Sequence, residues 1–164
     1  MDLSNIEIIV SEIDGVITDG CAALEYLNNT VFKKYCLRDF DAIDVLKTYF
    51  TFVFLSSDAS ISYNIMRTRN IPAYFATNKE DKVTLLTKKI LPHYNTRQGN
   101  LLYIGSMLSD IPCIHFAQIS MVPQSILGVA SEATHQIPVE SGHGVISYVA
   151  AALRSEIARR KCKE

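Results

Sequence analysis

Polar side chains that could do chemistry follow three separate apolar runs of the sequence. Glu12–Asp14 follows the first run, Ser56–Asp58 the second, and Gly105–Asp110 the third. Carboxylates hold hard cations or transfer protons, and serine hydroxyls donate hydrogen bonds to anions. The chain carries seventeen acidic residues against sixteen basic ones. The question that the sequence raises is whether any of these acids are gathered into a metal site or a catalytic site.

The elements that must position these residues are strands alternating with helices. Strands are predicted over Ile6–Ile13, Thr51–Leu55, Ala73–Ala76, Leu101–Ile104, Ile119–Val122 and His135–Pro138. Helices are predicted over Asp39–Tyr49 with Asp39 as its cap, Ser60–Arg69, Glu80–Leu91 stopped by Pro92, Ser109–Ala117, Gln124–Ser131 and a closing helix to Arg160. This alternation predicts an α/β fold with a Rossmann-like, doubly wound parallel sheet. Ligands of such sheets bind outside the carboxyl ends of the strands, so the three polar segments should converge on one mouth.

A β-hairpin is predicted over about residues 21–36, inserted after the first strand. Its strands are Ala22–Leu27 and Thr30–Tyr35, joined by a two-residue turn at Asn28-Asn29. The ribbon is too short to bury its own apolar side chains, and an isolated hairpin is barely stable in water. Exposed strand edges invite pairing with another chain, so we expect a homo-oligomer. The apolar residues concerned are Leu24, Tyr26, Val31 and Phe32.

Length and composition exclude several classes of protein. The 164 residues fit a single domain over 1–164, and the formal net charge of −1 argues against a strongly basic nucleic-acid binder. No apolar run approaches the ~20 residues of a membrane span. The four scattered cysteines have no metal-binding spacing and favour free thiols in a reducing compartment. With an acidic start and no basic leader, we expect a cytoplasmic protein without nucleic-acid or membrane partners.

The string EIDGVITDG at residues 12–20 resembles the first motif of the haloacid-dehalogenase phosphatases, in particular the Kdo-8-phosphate phosphatase group. The resemblance continues in order along nearly the whole chain. The further matching segments are Leu37-Arg38-Asp39, Phe54-Leu55-Ser56, Asp81-Lys82, Ile104 to Asp110, Pro123 and the turn Ser141 to Gly144. Such a series in the right order and spacing is specific for the fold.

The resemblance implies an aspartyl-phosphate mechanism on a small sugar phosphate such as Kdo-8-phosphate. In the family a first aspartate attacks phosphorus, and a second protonates the leaving group and later activates water. These positions are Glu12 and Asp14 here. Ser56 and Lys82 match the phosphate-holding positions. Mg²⁺ is the implied cofactor, with Glu12, Asp14 and Asp110 as the acids left to hold it and Ser106 at the position of a lost ligand.

This sequence departs from the family at the residues that matter most for catalysis. Glu12 is one methylene longer than the nucleophile, and in-line attack tolerates little misplacement. Ser106 and Met107 stand where the family has acids, so Mg²⁺ affinity should fall, and Asp58 stands where it usually has arginine. We therefore expect a catalytically degenerate protein, an oligomeric scaffold or a sugar-phosphate-binding protein, and a salt bridge between Glu12 and Lys82. The alternative is an active Mg²⁺-dependent phosphatase; in the scaffold reading the protein needs no cofactor.

The resemblance also implies an assembly. Family members of this group have no large cap domain and close their sites as homotetramers, in which the hairpins meet around a central axis. A related domain with degraded motifs serves assembly in animal CMP-sialic acid synthetases. The expected partner is therefore a second, third and fourth copy of this chain, joined through the hairpin.

Overall fold

The computed structural model describes residues 2–25, 29–77, 80–124 and 128–162. Its main sheet has six parallel strands, which are β1 (Ile8–Ser11), β4 (Thr51–Ser56), β5 (Ala73–Phe75), β6 (Leu101–Ile104), β7 (Ile119–Pro123) and β8 (His135–Ile137). Their order across the sheet is β5-β4-β1-β6-β7-β8. The chain thus starts at the centre of the sheet, builds one side and then crosses to the other. The α/β, Rossmann-like prediction is confirmed.

Helices pack on both faces of the sheet, because β1, β4, β6 and β7 carry apolar side chains in both directions. One face packs on α1 (Leu37–Tyr49) and α6 (Val145–Ala152), around Ile9, Phe54 and Ile104. The other face packs on the segment 82–93 and on α5 (Ile111–Phe116), around Val10, Leu55 and Tyr103. The remaining helices are α2 (Ser60–Thr68) and α7 (Arg154–Lys161). None of the helices in the described ranges is long and apolar enough to span a bilayer.

The hairpin forms a separate two-stranded sheet of β2 (Ala23–Leu24) and β3 (Thr30–Phe32), which are antiparallel. Its strands are shorter than predicted. Asn28 and Tyr26 lie outside the described residues, so the predicted turn is described only at Asn29, whose carbonyl oxygen accepts a hydrogen bond from the backbone N–H of Glu25 at 3.0 Å. Leu24, Val31 and Phe32 remain 56%, 56% and 62% exposed. The hairpin therefore leaves an apolar surface uncovered within one chain.

The predicted start of α1 is wrong. The helix begins at Leu37, with Cys36 as its N-cap, so Asp39 lies in the first turn. The carboxylate of Asp39 accepts hydrogen bonds from the backbone N–H and the hydroxyl of Ser147, both at 2.9 Å. A cap residue bonds to its own helix, whereas Asp39 ties α1 to α6. Burial raises the pKa of Asp39 above its ordinary value, although the Ser147 hydrogen bonds oppose the shift.

Two other predicted helices also differ from the structure. Segment 82–93 runs through α3 (Lys82–Leu85), a π-helical turn over Leu86–Ile90 and α4 (Leu91–His93), so Pro92 does not end it. In a regular helix a proline ring clashes with the carbonyl four residues earlier, and here that carbonyl belongs to the π-helical turn. The closing helix is two helices, α6 and α7, because the backbone leaves helical geometry at Leu153.

The predicted helix Gln124–Ser131 is wrong in its described part. Residues 125–127 lie outside the described residues, and the chain beyond them forms only a short 3-10 turn over Ala130–Glu132. Gly128 has a φ of +79°, a left-handed conformation that a right-handed helix cannot contain. Short 3-10 turns also stand at Gln98–Asn100 and Leu108–Asp110.

Candidate functional site

The mouth lies at the carboxyl ends of the three central strands. Glu12 follows β1, Ser56 ends β4, and Gly105 follows β6, which are neighbours in the sheet. The three polar segments therefore converge as predicted from the sequence. They line a cavity of about 450 Å³ whose wall is formed by Glu12, Asp14, Ser56, Ser57, Asp58, Lys82, Met107, Leu108 and Ser109.

An inner cluster of charges sits at the base of this cavity. Lys82, the first residue of α3, is buried and donates to Oδ1 of Asp110 at 2.6 Å while also contacting Oε2 of Glu12. Oδ1 of Asp110 also accepts the hydroxyl of Tyr103 at 2.7 Å. We call Lys82, Glu12, Asp110 and Tyr103 the inner cluster. The predicted salt bridge between Glu12 and Lys82 is present.

The electrostatics of the inner cluster follow from one ammonium facing two buried carboxylates. Burial raises the pKa of Glu12 to about 7, with the charge of Asp110 adding to the shift and Lys82 opposing it. Burial lowers the pKa of Lys82, but the charges of Glu12 and Asp110 outweigh that effect and leave it above its ordinary value. The ammonium therefore stays charged, and Glu12 is the group that takes up a proton near neutrality.

Both carboxylate oxygens of Asp110 accept hydrogen bonds from groups of this chain. Its Oδ2 accepts the backbone N–H groups of Ser106 and Met107, each at 2.8 Å, while Oδ1 is taken by Lys82 and Tyr103. These bonds fix the loop that follows β6. The hydroxyl of Ser106 in turn donates to the backbone carbonyl of Asp14 at 2.5 Å. Ser106 is thus a link between two loops of the mouth.

The arrangement does not fit Mg²⁺. That ion requires about six oxygens in octahedral geometry, with carboxylates among them. Glu12 and Asp110 face an ammonium, and the Asp14 carbonyl accepts the Ser106 hydroxyl. Among the described ranges, no three His, Cys, Asp or Glu side chains are grouped so that they could hold a metal ion. The assignment of Glu12, Asp14 and Asp110 as metal ligands stays a prediction that this geometry does not favour.

An outer cluster lies at the rim, and the sequence predicted its two carboxylates but not its lysine or its serine. Lys33, just after β3, is buried and bridges Oδ2 of Asp14 at 2.8 Å and Oδ2 of Asp58 at 2.7 Å. Its ammonium also donates to the hydroxyl of Ser62 at 3.5 Å, and that hydroxyl lies 2.9 Å from the hydroxyl of Tyr35. We call Lys33, Asp14, Asp58 and Ser62 the outer cluster. It brings a residue of the hairpin into the mouth.

The pKa shifts in the outer cluster follow from the pairing of opposite charges. Burial lowers the pKa of Lys33, but hydrogen bonds to Asp14 and Asp58 outweigh it and raise the pKa overall. Burial raises the pKa of Asp58, but its hydrogen bonds to Lys33 and Ser60 outweigh burial and lower the pKa overall. Both partners therefore stay charged at neutral pH.

Of the site residues that the sequence did not predict, Tyr103 has a local sequence signal and Lys33 has none. Tyr103 stands in a predicted buried strand, and a buried tyrosine hydroxyl needs a partner, so it could have been assigned to the mouth. Lys33 has no such local signal, because its carboxylate partners are 19 and 25 residues away in sequence. Ser56, which was predicted to hold phosphate, is buried and accepts the N–H of Asp58 at 3.4 Å.

Comparison with known proteins identifies the fold. No protein-family model matches the sequence, and no curated protein is significantly similar to it. Among solved structures, the cobalt-bound deoxy-D-mannose-octulosonate 8-phosphate phosphatase of Haemophilus influenzae matches with a TM-score of 0.85 and 20% identity, over 95% of this chain and 91% of that one. The chain has the fold of this phosphatase. Likeness at this identity shows the fold alone.

Two further phosphatases share this fold. The 3-deoxy-D-manno-octulosonate 8-phosphate phosphatase of Moraxella catarrhalis, in complex with magnesium, phosphate and KDO, matches with a TM-score of 0.82 and 16% identity, over 93% of this chain and 88% of that one. The enzyme of Yersinia pestis matches with a TM-score of 0.84 and 18% identity, over 97% and 86%. The fold that the sequence motifs implied is confirmed.

Proposed function

We propose that this chain is a catalytically degenerate relative of the Kdo-8-phosphate phosphatases that serves as an oligomeric scaffold. The observation that supports it is the inner cluster. Lys82 lies between Glu12 and Asp110, at the base of the mouth where phosphoryl transfer would need a cation to neutralise developing charge. The position of the lost acid, Ser106, is occupied by a hydroxyl that binds the Asp14 carbonyl.

The geometry at Glu12 also supports loss of hydrolysis. Its Oε1 accepts the backbone N–H of Ile13 at 2.7 Å and of Asp14 at 3.3 Å, while Oε2 contacts Lys82. Both carboxylate oxygens are therefore engaged within the chain. A nucleophile needs a free oxygen within about 3–3.5 Å of phosphorus and in line with the leaving group. Glu12 would have to give up its contacts to reach such a position.

A phosphate-release assay tests the catalytic half of the proposal. Purified protein is incubated with Mg²⁺ and with Kdo-8-phosphate or other small sugar phosphates, beside the Haemophilus influenzae phosphatase as positive control. We expect the wild-type protein to release no more phosphate than its Asp14→Asn variant. Metal-dependent turnover that Asp14→Asn abolishes would establish the alternative, an active Mg²⁺-dependent phosphatase with Asp14 as acid and base.

The hairpin supports the scaffold half. Leu24, Val31 and Phe32 form an exposed apolar surface on a ribbon of two short strands, and burying such a surface against another copy contributes about 25 cal/mol per Å². The proposed assembly is a homotetramer joined through the hairpins. It requires no cofactor.

Mass in solution tests the assembly. Light scattering after gel filtration at micromolar concentration should give the mass of four chains. Phe32→Glu should dissociate the assembly, because it buries a charge in the interface. Val45→Glu, at an exposed apolar residue of α1, is the matched control and should leave the mass unchanged. A monomeric wild-type protein would contradict the proposed assembly.

A further inference from the structure

The charge of the mouth carries information about its ligands. Four carboxylates stand in it, from Glu12, Asp14, Asp58 and Asp110, against the two ammonium groups of Lys33 and Lys82. Each ammonium lies between two of the carboxylates. The mouth thus has an excess of negative charge before any ligand enters, and no cation of the two clusters faces the cavity without a carboxylate partner.

Lys33 is the cation nearest to the rim, and all of its N–H donors are already engaged by groups of this chain. An ammonium group has three N–H donors. Those of Lys33 are directed to Asp14, to Asp58 and to the hydroxyl of Ser62, and its side chain is 2% exposed. An anion that entered the cavity would have to displace one of these acceptors before it gained a hydrogen bond from Lys33.

Among the acceptors of Lys33, Asp58 is the one most exposed toward the cavity. It lines the cavity, and its side chain is 40% exposed, against 14% for that of Asp14. Its Oδ1 accepts the backbone N–H of Ser60 at 3.0 Å, so this carboxylate is oriented by its own loop while Oδ2 holds Lys33. Asp58 thereby occupies the place, relative to Lys33, that an anionic ligand group would take.

We propose that Asp58 is a specificity-determining residue that closes this mouth to phosphate, leaving it open to uncharged, hydroxyl-bearing ligands. Two effects combine. The Asp58 carboxylate adds a negative charge that repels a phosphate dianion across a few ångströms, and it takes the N–H of Lys33 that such an anion would need. A sugar hydroxyl suffers neither effect, since it is uncharged and donates to a carboxylate.

Exclusion of phosphate is a binding property and is separate from the proposed loss of hydrolysis. It is tested with inorganic phosphate in the presence of a chelator, where there is no ester to hydrolyse and no Mg²⁺. A failed phosphate-release assay and a failed binding test are therefore distinguishable results.

The experiment is calorimetric titration of phosphate into wild-type protein and into Asp58→Asn. The asparagine keeps an oxygen for the N–H of Ser60 and places an amide N–H₂ or a neutral oxygen toward Lys33. We expect phosphate to bind Asp58→Asn at least tenfold more tightly than wild type, with a gain that shrinks as salt is raised. Asp44→Asn, an equal change of charge on the exposed side of α1, should match the wild type.

A second variant tests whether the gain passes through Lys33. Adding Lys33→Met to Asp58→Asn should remove the gain, whereas Lys34→Met at the exposed neighbouring position should keep most of it. If Asp58 served only to anchor the hairpin, Asp58→Asn would lower the melting temperature and leave phosphate affinity unchanged. Phosphate binding equally tight in wild type and Asp58→Asn, or absent from both, would overturn the proposal.

Discussion

The inner and outer clusters use the same device, a lysine between two carboxylates, at two depths. In the inner cluster all three charged side chains are at most 2% exposed. In the outer cluster the lysine is equally buried, but Asp14 and Asp58 are 14% and 40% exposed. Water can therefore replace the lysine for the outer carboxylates and cannot do so for the inner ones. Depth, more than the kind of pair, decides what each cluster contributes.

The clusters also join different parts of the molecule. Glu12 and Asp110 follow the central strands β1 and β6, and Lys82 begins α3, so the inner cluster ties a helix to the carboxyl ends of the central strands. Lys33 belongs to the hairpin, whereas Asp14 and Asp58 follow β1 and β4. The outer cluster thus attaches the inserted hairpin to the main sheet. Breaking the inner cluster should therefore lower the stability of the whole molecule, whereas breaking the outer cluster should mainly loosen the hairpin.

The largest effect is expected from Lys82→Met. It leaves the buried carboxylate of Asp110, and that of Glu12 once it ionises, without a counter-charge, so the free energy of unfolding should fall by about 3–5 kcal/mol. Urea unfolding followed by circular dichroism measures it. Lys89→Met is the control, since Lys89 pairs with Glu80 at an exposed site and should cost at most about 1 kcal/mol. A loss for Lys82→Met as small as that of the control would remove the distinction in depth.

The next effect concerns the pH dependence of stability. Native Glu12 keeps its proton up to a pKa of about 7, while in the unfolded chain it ionises near the ordinary value of 4.5. Its stabilising contribution is therefore complete below about pH 4.5 and is lost as the pH rises to about 7. The wild type should lose up to roughly 3 kcal/mol relative to Glu12→Gln across that window.

Urea titrations at several pH values measure this difference. Glu7→Gln, at an exposed glutamate just before β1, controls for the loss of one carboxylate. Parallel stability profiles for the wild type and Glu12→Gln would show that the inner cluster binds no extra proton on folding.

The smallest effect is expected from Lys33→Met. Because Asp14 and Asp58 gain water when the lysine is lost, the free energy of unfolding should fall by only about 1–2 kcal/mol. The local consequence should exceed the global one: amide hydrogens of β2 and β3 should exchange faster, while those of β1 and β6 stay protected. Lys34→Met should change neither. Uniformly faster exchange over the whole sheet would mean that the outer cluster is part of the core.

Much of the fold was predictable because its signals are local. Apolar runs such as Thr51–Leu55 and Leu101–Ile104 coincide with β4 and β6 almost to the residue, and parallel pairing then brings their carboxyl ends together. Two of the failures had different causes, one local and one a long-range contact. Gly128 adopts a left-handed conformation in a segment with helical spacing, and Asp39 found a better donor in Ser147 than in its own helix.

The residues of the site likewise fall into those that the sequence motifs predict and those that depend on long-range contacts. The pairing of Glu12 with Lys82 was predictable, because matching motifs placed both at one mouth. Lys33 was not, since nothing near it in the sequence indicates that Asp14 and Asp58 lie within 3 Å of its ammonium. Contacts made by an inserted ribbon depend on how the ribbon folds back over the body, and this geometry is absent from periodicity and composition.

A metal-binding site built at this mouth would have to accommodate the close contact between Ser106 and Gly15. A Cβ on Gly15 would lie 2.5 Å from Oγ of Ser106, so this corner has no room for a larger side chain unless a loop shifts. Ser106→Asp would also place a carboxylate beside the carbonyl oxygen of Asp14, and the two would repel each other. A bound cation would relieve this repulsion. Glu12 does not help to bind one, because its carboxylate is paired with Lys82. Ser106→Asp alone is therefore expected to lower stability without completing a cation site, because the packing of this corner and the ammonium of Lys82 both oppose it.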